Sequence, residues 1–352
     1  MRLGKCSLSE DKELLSYMET TITNDKPFKT YDELVELLKE RNVIITDDEI
    51  AKELLCDLTY YDLINGYKNL YPYDENDKFI IPIPFYEFYA FYTLDTFINN
   101  TILKYTLLVE KSLKSKLSYT ISNHYGVETK IFTFKTSNDY LSKSNYRNIK
   151  HKNNILNEIK RQITESNNES ILHYKQNHNH LPCWILINGI SFGLAINWYT
   201  ILKPDDKDFI CEKMIHNEDL TIEQKKEFLN KGLTILRRYR NNIAHGHKIF
   251  TSAIKEELPK KQVLIISNGL ITNKDYLNGI GKNDLFAVIL TLSTLLNKKY
   301  RIMFLDEITS ALNAFNGFES STGKGILEML SLPNDFIEKL EQLKKYQNST
   351  RQ

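Results

Sequence analysis

Apolar and polar residues follow the spacing of amphipathic helices along most of the chain, and few segments alternate every second residue as strands do. Residues 31–38 have helical spacing, and residues 46–49 (TDDE) form a capping signal before a second short helix. Residues 69–84 are rich in Pro, Asp and Asn and predict a loop or a small hairpin. Residues 85–125 contain neither Pro nor Gly, and their apolar stripe predicts one long bundle helix or two.

The second half continues with helices and polar connections. Residues 126–180 are rich in Asn, Lys and Ser and predict a mixture of exposed helix and loop. An apolar helix is predicted to start at Pro182, where Gly189 and Gly193 would let a neighbouring element approach closely. Further helices and one loop-like segment are predicted at residues 220–245 (helix), 269–281 (loop), 284–297 (helix) and 336–346 (helix).

The predicted fold class is therefore mainly α. The chain is divided into an N-terminal helical module (residues 1–80), a helical bundle (residues 85–250) and a C-terminal helical extension (residues 251–352). At 352 residues the chain is long enough to bury one large core or two smaller ones.

Charge and cysteine usage narrow the class of protein. The 46 Lys and Arg residues nearly balance the 45 Asp and Glu residues, so any affinity for nucleic acid must come from local basic patches. The four cysteines lie far apart and form no CxxC pair, which argues against a disulfide scaffold. The first fifteen residues lack the apolar core of a signal peptide, and no apolar run reaches the ~20 residues of a membrane span. We expect a cytoplasmic protein.

A metal site is the first chemistry to weigh, because three histidines lie close together in the sequence. His173, His178 and His180 precede Pro182 in a segment rich in Asn and Gln. They lack the i, i+4 helical spacing and the nearby thiolates that a zinc site favours. The sequence therefore predicts neither a metal nor another cofactor.

Residues 237–247 (RRYRNNIAHGH) carry the strongest candidate chemistry. His245 could transfer a proton near neutral pH, Arg240 offers a planar set of donors for phosphate oxygens, and Asn241 could orient a ribose hydroxyl or the imidazole. This combination suits the cleavage of RNA. A structural interpretation is also open, because basic residues complement the negative end of a helix dipole and Gly246 is a natural helix stop.

Helix geometry bears on how such a site is assembled. Asn241 and His245 share a helix face, whereas Arg240 lies about 140° from His245 on an ideal helix. Two copies of this helix facing each other across a twofold axis would bring Arg240 and His245 together more easily than one helix does. Four apolar residues form the stripe that would anchor the helix: Leu233, Leu236, Tyr239 and Ile243.

Several separated segments match the motifs of one known family. They are residues 28–33 (FKTYDE), 37–41 (LLKER), 60–67 (YYDLINGY), 182–184 (PCW), 191–193 (SFG) and 240–245 (RNNIAH). On the long helix, Tyr92, Asp95 and Glu110 also match, and Lys114 stands where the family usually has arginine. In these motifs the chain resembles the abortive-infection Abi-like proteins of the Abi-F and Abi-D type, over roughly residues 28–250.

The resemblance implies a fold and an activity. That family belongs to the HEPN superfamily of helical bundles, which often act as metal-independent RNA endonucleases through an Arg-x4-6-His motif, commonly as dimers. Its members act in phage defence, some as toxin-like proteins controlled by a partner such as a small non-coding RNA. This chain departs from the family at Lys114, which loses the bidentate fork of arginine, and at His247 and Lys248.

The resulting hypothesis is a homodimeric ribonuclease that uses the ribose 2′-hydroxyl as nucleophile. Arg240, Asn241 and His245 would be catalytic, and Glu110 would orient one of them. The candidate RNA-binding residues are Arg237, Arg238, Lys248, Lys114, Arg147, Lys150 and Lys152. The sequence leaves two alternatives open: a non-catalytic binder of a structured small RNA, and a helical adaptor whose partner is a protein.

Overall fold

The computed structural model describes residues 26–131, 138–246, 248 and 254–349. The chain divides into two compact units, Met1–Phe85 and Tyr86–Gln352. The division into three parts that the sequence indicates stays a prediction. Cys6, the N-terminal segment considered for a signal peptide, and His247 lie outside the described residues.

In its described part, the first unit contains two short α-helices, two short strands, a π-helical turn (Tyr61–Asn65) and a 3₁₀ turn (Lys68–Leu70). The α-helices and strands are α1 (Tyr31–Glu40), β1 (Val43–Ile44), α2 (Asp48–Leu58) and β2 (Ile83–Pro84). Thr30 and Glu33 form a capping box at the start of α1. The Asp47 side chain accepts hydrogen bonds from the backbone N–H groups of Glu49 and Ile50 at the start of α2. The strands pair in parallel, and Tyr73 and Phe79 form an isolated antiparallel bridge in the segment predicted as a loop or hairpin.

The regular elements in the described part of the second unit are helices, joined by loops of which one contains an isolated antiparallel bridge between Glu319 and Gly325. Helix α3 (Phe85–Tyr125) is one uninterrupted helix of 41 residues, as its sequence without Pro or Gly favours. The helices that follow are α4 (Lys152–Thr164), α5 (Glu169–Asn177), α6 (Cys183–Leu186), α7 (Phe192–Ile201), α8 (Pro204–Met214), α9 (Ile222–Ala244), α10 (Lys260–Ile266), α11 (Asn273–Leu277), α12 (Leu285–Leu295), α13 (Lys298–Asn313), α14 (Ile326–Met329) and α15 (Phe336–Ser349).

Helix α9 lies at the centre of this unit. It packs against α7, α8, α10 and α12, and every residue of α12 is buried. Gly232 of α9 and Thr291 of α12 lie so close that a Cβ atom at position 232 would be 2.8 Å from the Thr291 methyl group. The buried face of α3 completes the core with Leu94, Ile98, Ile102, Val109, Leu113 and Leu117. The mainly α fold class is confirmed.

Two local expectations are wrong. The helix predicted from Pro182 ends at Leu186, continues as a 3₁₀ turn over Ile187–Gly189, and restarts as α7 because the Ser191 side chain caps a new helix. The predicted loop at residues 269–281 contains α11, which begins with a capping box between Thr272 and Asp275. No helix in the described part of the chain is long and apolar enough to span a membrane.

Candidate active site at the end of helix α9

The sequence determines both ends of the helix that carries the motif. Thr221 and Gln224 form a capping box at the start of α9. The helix ends at Ala244, and Gly246 follows with a φ of +73°, the left-handed conformation that terminates helices and that glycine adopts without strain. His245 is the C-cap residue, and its backbone N–H donates to the carbonyl oxygens of Asn241 and Asn242 at 3.1 Å.

The predicted apolar stripe anchors the last turns of α9. Leu233, Leu236 and Tyr239 are buried, and Ile243 is half-buried. Burial raises the pKa of the Tyr239 hydroxyl well above its usual value, and the nearby carboxylates of Asp95 and Asp284 raise it further. Tyr239 therefore stays neutral and holds the end of α9 in the core while the motif residues face outward.

The three motif residues lie where α9 ends. Asn241 and His245 are exposed and Arg240 is half-buried. Nη1 of Arg240 donates a hydrogen bond of 3.2 Å to Oδ1 of Asn241, so the amide fixes one edge of the guanidinium group. In the described structure no hydrogen bond joins the His245 ring to Arg240 or Asn241. One chain thus supplies an oriented cation and an accessible imidazole as separate groups.

Arg237 packs inward from the motif toward the start of α7. A Cβ atom at Gly193 would lie 3.1 Å from Nη1 and 3.2 Å from Cδ of Arg237, closer than ordinary van der Waals contact. Because Gly193 has no side chain, the guanidinium group of Arg237 can occupy the space beside it. The close approach that the sequence indicates at Gly193 is confirmed, and its neighbour is Arg237.

Arg238 and Lys248 have protein partners beside the motif. Arg238 is exposed, and its Nε forms an ion pair with Oε2 of Glu256. The Lys248 ammonium group lies over the Tyr92 ring, 5.1 Å from its centroid. Sequence reasoning missed Glu256, because a single acidic residue beyond the motif has no spacing that indicates its partner.

Glu110 and Lys114 lie elsewhere on α3. Oε1 of Glu110 and Nζ of Lys114 are 2.8 Å apart, and Nζ also donates to the Ile190 carbonyl at 2.7 Å. Glu110 follows Tyr92 by 18 residues on one helix, a rise of about 27 Å. Within the described part of the chain, neither Glu110 nor Lys114 contacts the motif residues through a hydrogen bond or an ion pair.

The basic segment, which comprises Arg147, Lys150 and Lys152, begins at the other end of α7 from Arg237. The backbone N–H of Arg147 donates to the carbonyl of Ile201, at the C-terminal end of α7, whereas Arg237 contacts the N-terminal end of that helix. Arg147 and Lys150 are exposed, and Nζ of Lys152 donates to the Lys143 carbonyl at 3.2 Å. An RNA that reached both this segment and the motif would have to extend along the bundle.

The described residues around the motif contain no cluster of potential metal ligands. Within the described residues, no group of three or more His, Cys, Asp or Glu side chains is arranged to hold a metal ion. His173 and His178 lie near each other, with ring centroids 5.5 Å apart, and His178 stacks on Tyr174.

Comparison with protein families gives this arrangement a context. A family model described as Abi-like protein matches residues 53–251, which include α3, α7 and all of α9 with its Arg240, Asn241 and His245. The chain belongs to the Abi-like protein family. Membership indicates a role in abortive infection. No curated protein and no solved structure matches the chain.

Proposed function

We propose that this Abi-like protein is a metal-independent RNA endonuclease of HEPN type. The observation that carries the proposal is the placement of Arg240, Asn241 and His245 on the outward side of one helix end, in a member of an abortive-infection family. A guanidinium group can stabilise the charge that develops on a phosphate, and an imidazole can take the proton of a ribose 2′-hydroxyl as its oxygen attacks the adjacent phosphorus.

The proposed reaction is an intramolecular transesterification. His245 takes the proton of the ribose 2′-hydroxyl, the 2′-oxygen attacks the adjacent phosphorus, and the bond from phosphorus to the 5′-oxygen breaks. Arg240, held by Asn241, stabilises the negative charge that develops on the phosphate oxygens. A proton then goes to the departing 5′-oxygen, so the products are a 2′,3′-cyclic phosphate and a 5′-hydroxyl.

The active unit is a homodimer in this proposal. The single chain orients Arg240 through Asn241 and leaves the His245 ring without a hydrogen bond to either in the described structure. Two α9 ends facing each other would place the arginine of one copy beside the histidine of the other. The second histidine would then donate the proton that the departing 5′-oxygen requires.

RNA is the partner that the surface residues would bind. Arg147 and Lys150 are exposed in the basic segment, and Arg238 keeps part of its guanidinium group accessible beside the motif. These groups would contact phosphates without reading bases. A regulatory non-coding RNA could use the same surface to keep the enzyme inactive.

Substitutions of Arg240 test the proposal. Arg240→Ala should reduce RNA cleavage by about 10²–10³-fold, as does the loss of a group that stabilises transition-state charge. Arg240→Lys should recover part of this loss, because it keeps the charge and loses the planar fork. Arg161→Ala is the matched control, since Arg161 is exposed on α4 and paired with Glu158 and Glu165. Equal activity of all four proteins would refute a catalytic role for Arg240.

A further inference from the structure

A second concave surface lies on the C-terminal half of α3, away from the end of α9. It consists of two adjacent pockets of about 400 Å³ and 410 Å³. Lys111 and Ser115 of α3 line both of them. The two pockets therefore lie on the two sides of a single exposed ridge of α3.

The first pocket is basic. Lys111, Lys116, Lys213 and His216 line it, together with the hydroxyl groups of serine and tyrosine side chains, and none of the described residues in its lining is Asp or Glu. The whole chain has a net charge of only +1, so this concentration of positive charge is local. Lysine side chains that converge in a concave surface are a typical binding site for phosphate groups.

The electrostatic environment of this basic pocket is positive. The His216 side chain is exposed, but its partial desolvation lowers its pKa, and the charges of Arg301, Lys116 and Lys213 lower it further. Burial also lowers the pKa of Lys116, whose ammonium group donates to the neutral Ser112 hydroxyl at 2.7 Å. A bound anion would relieve both effects.

The start of α13 also lines this pocket. Asn297, the N-cap residue of this 16-residue helix, lines the pocket together with Tyr300. The positive end of the α13 dipole therefore points to the side where the lysines converge.

The second pocket has the character of a nucleobase site. Trp184 lines it and is 47% exposed, so part of its side chain is accessible to a stacking base. Asn188 lines it too, and its Nδ2 donates to the Trp184 carbonyl. This hydrogen bond leaves the amide oxygen of Asn188 available as an acceptor. Indole and amide together offer one stacking surface and one hydrogen-bond acceptor.

Glu110 gives the second pocket a buried acceptor. One carboxylate oxygen of Glu110 pairs with Lys114, and the other, Oε2, is buried and forms no hydrogen bond in the described structure. A buried carboxylate oxygen without a donor is costly. Because Glu110 lines the pocket, rotation of its carboxylate would turn this oxygen toward an exocyclic amino group or a ring N–H of a bound base. Guanine, adenine and cytosine carry such donors.

We propose that these two pockets form one site for a nucleoside 5′-phosphate. The base stacks on Trp184 and donates to Glu110, and the phosphates cross the ridge at Lys111 into the pocket of Lys116, Lys213 and His216. Because Lys111 and Ser115 line both pockets, one ligand can span the ridge between them. The nucleoside 5′-phosphate that binds here is either a free nucleotide or the 5′-phosphorylated end of an RNA. The proposal is independent of the ribonuclease activity.

Tryptophan fluorescence of the full-length protein tests the site. The chain has two tryptophans, and Trp198 is fully buried, so quenching by an added ligand reports on Trp184. GTP, ATP and pyrophosphate are titrated in turn, with calorimetry as a second measurement. We expect the nucleotides to quench the fluorescence saturably, and pyrophosphate to bind without a comparable change because it carries no base.

Variants separate the two halves of the site. Trp184→Ala should weaken nucleotide binding about tenfold, the typical effect of losing one stacked base, and leave pyrophosphate binding unchanged. Lys213 is exposed, and Lys213→Gln should weaken the binding of both nucleotide and pyrophosphate by about tenfold. Lys116→Gln should have the same effect if the variant folds. Lys104→Gln is the matched control on α3, since Lys104 pairs with Glu307 outside both pockets.

Two RNA ligands distinguish the sources. A short RNA with a 5′-phosphate is compared with the same RNA carrying a 5′-hydroxyl, in competition with GTP and ATP. If the RNA with a 5′-phosphate competes, the RNA with a 5′-hydroxyl does not, and Trp184→Ala weakens this competition, the site binds RNA ends. If only the nucleotides bind, the site is for free nucleotides. Absence of saturable binding of every phosphate ligand up to about 1 mM would overturn the proposal, as would binding that the Trp184 and Lys213 variants leave unchanged.

Discussion

The guanidinium group of Arg237 lies against Gly193, where a Cβ atom would come within 3.1 Å of Nη1. This contact joins the helix of the motif to the start of α7. Both residues lie in segments that the Abi-like family model covers.

Gly193→Ala should therefore couple to Arg237. Alanine at an N-terminal helix position gains helix propensity, about 0.5–1 kcal/mol, but it displaces the guanidinium group. We expect Gly193→Ala to stabilise the protein in an Arg237→Ala background and to stabilise it less, or to destabilise it, when Arg237 is present. Urea unfolding of the four proteins in this double-mutant cycle gives the coupling energy, predicted to exceed about 0.5 kcal/mol. A coupling energy of zero would show that the contact does not constrain Arg237.

The raised pKa of Asp284 should make the free energy of unfolding depend on pH. Burial raises its pKa to about 6, although backbone N–H groups, including those of Ala287 and Gly281, oppose the shift. A carboxyl group with a higher pKa in the folded than in the unfolded chain contributes stability that is complete below about pH 4 and is lost as the pH rises through about 6.

Asp284→Asn should remove this dependence and keep the N-cap of α12, because asparagine caps helices as well as aspartate does. The free energy of unfolding of the variant, relative to the parent, should rise by roughly 2–3 kcal/mol between about pH 4 and pH 7. Urea unfolding across this range measures the difference, and the exposed Asp205 substituted by Asn is the control. A constant difference between Asp284→Asn and the parent would contradict the shift.

The basic segment predicts a change in the salt dependence of RNA binding. Arg147 and Lys150 are exposed, so replacing both with Gln should weaken binding to RNA and reduce the slope of log K against log salt by about 0.7–0.9 for each phosphate group that the variant no longer neutralises. Arg161→Gln, in a side chain already paired with Glu158 and Glu165, should leave the slope unchanged. If the double variant binds RNA with the parental slope, the RNA lies elsewhere on the protein.

The dimer predicts complementation between impaired chains. Arg240→Ala and His245→Ala chains should each cleave RNA far more slowly than the parent, and a mixture that exchanges subunits should regain part of the activity. One of the two sites then has Arg240 and His245 intact, and water replaces the missing second histidine as proton donor. Light scattering measures the mass of the active species, and RNA cleavage measures the recovery. A fully active monomer at nanomolar concentration would contradict the dimer, and a silent mixture would indicate that the two residues act in one chain.

The sequence predicts best where local rules operate alone. Residues 85–125 contain no helix breaker, and α3 occupies all of them. Gly246 ends α9 as its left-handed preference predicts. The interruption after Leu186 is not predicted because apolar spacing continues across it, although Ser191 is a local capping signal for the new helix.

The candidate site depends more on tertiary contacts. Local spacing identifies the motif and the side of α9 that is buried, because both follow from helix geometry. The pair of Glu110 with Lys114 has i, i+4 spacing, but its position in the pocket of Trp184 arises from the packing of α6 against the rest of the unit, which no local pattern encodes. The same holds for the ion pair between Arg238 and Glu256.

The central claim is that His245 cleaves RNA without a metal ion, and the chemistry of the RNA ends tests it most directly. Purified protein, His245→Ala and the control His173→Ala, an exposed histidine on α5, are incubated with RNA in excess EDTA, and the ends are mapped. The account predicts 2′,3′-cyclic phosphate and 5′-hydroxyl ends from the parent and the control, and a rate about 10²–10⁴-fold lower for His245→Ala. Cleavage that EDTA abolishes and Mg²⁺ or Mn²⁺ restores, or that His245→Ala retains in full, would contradict it.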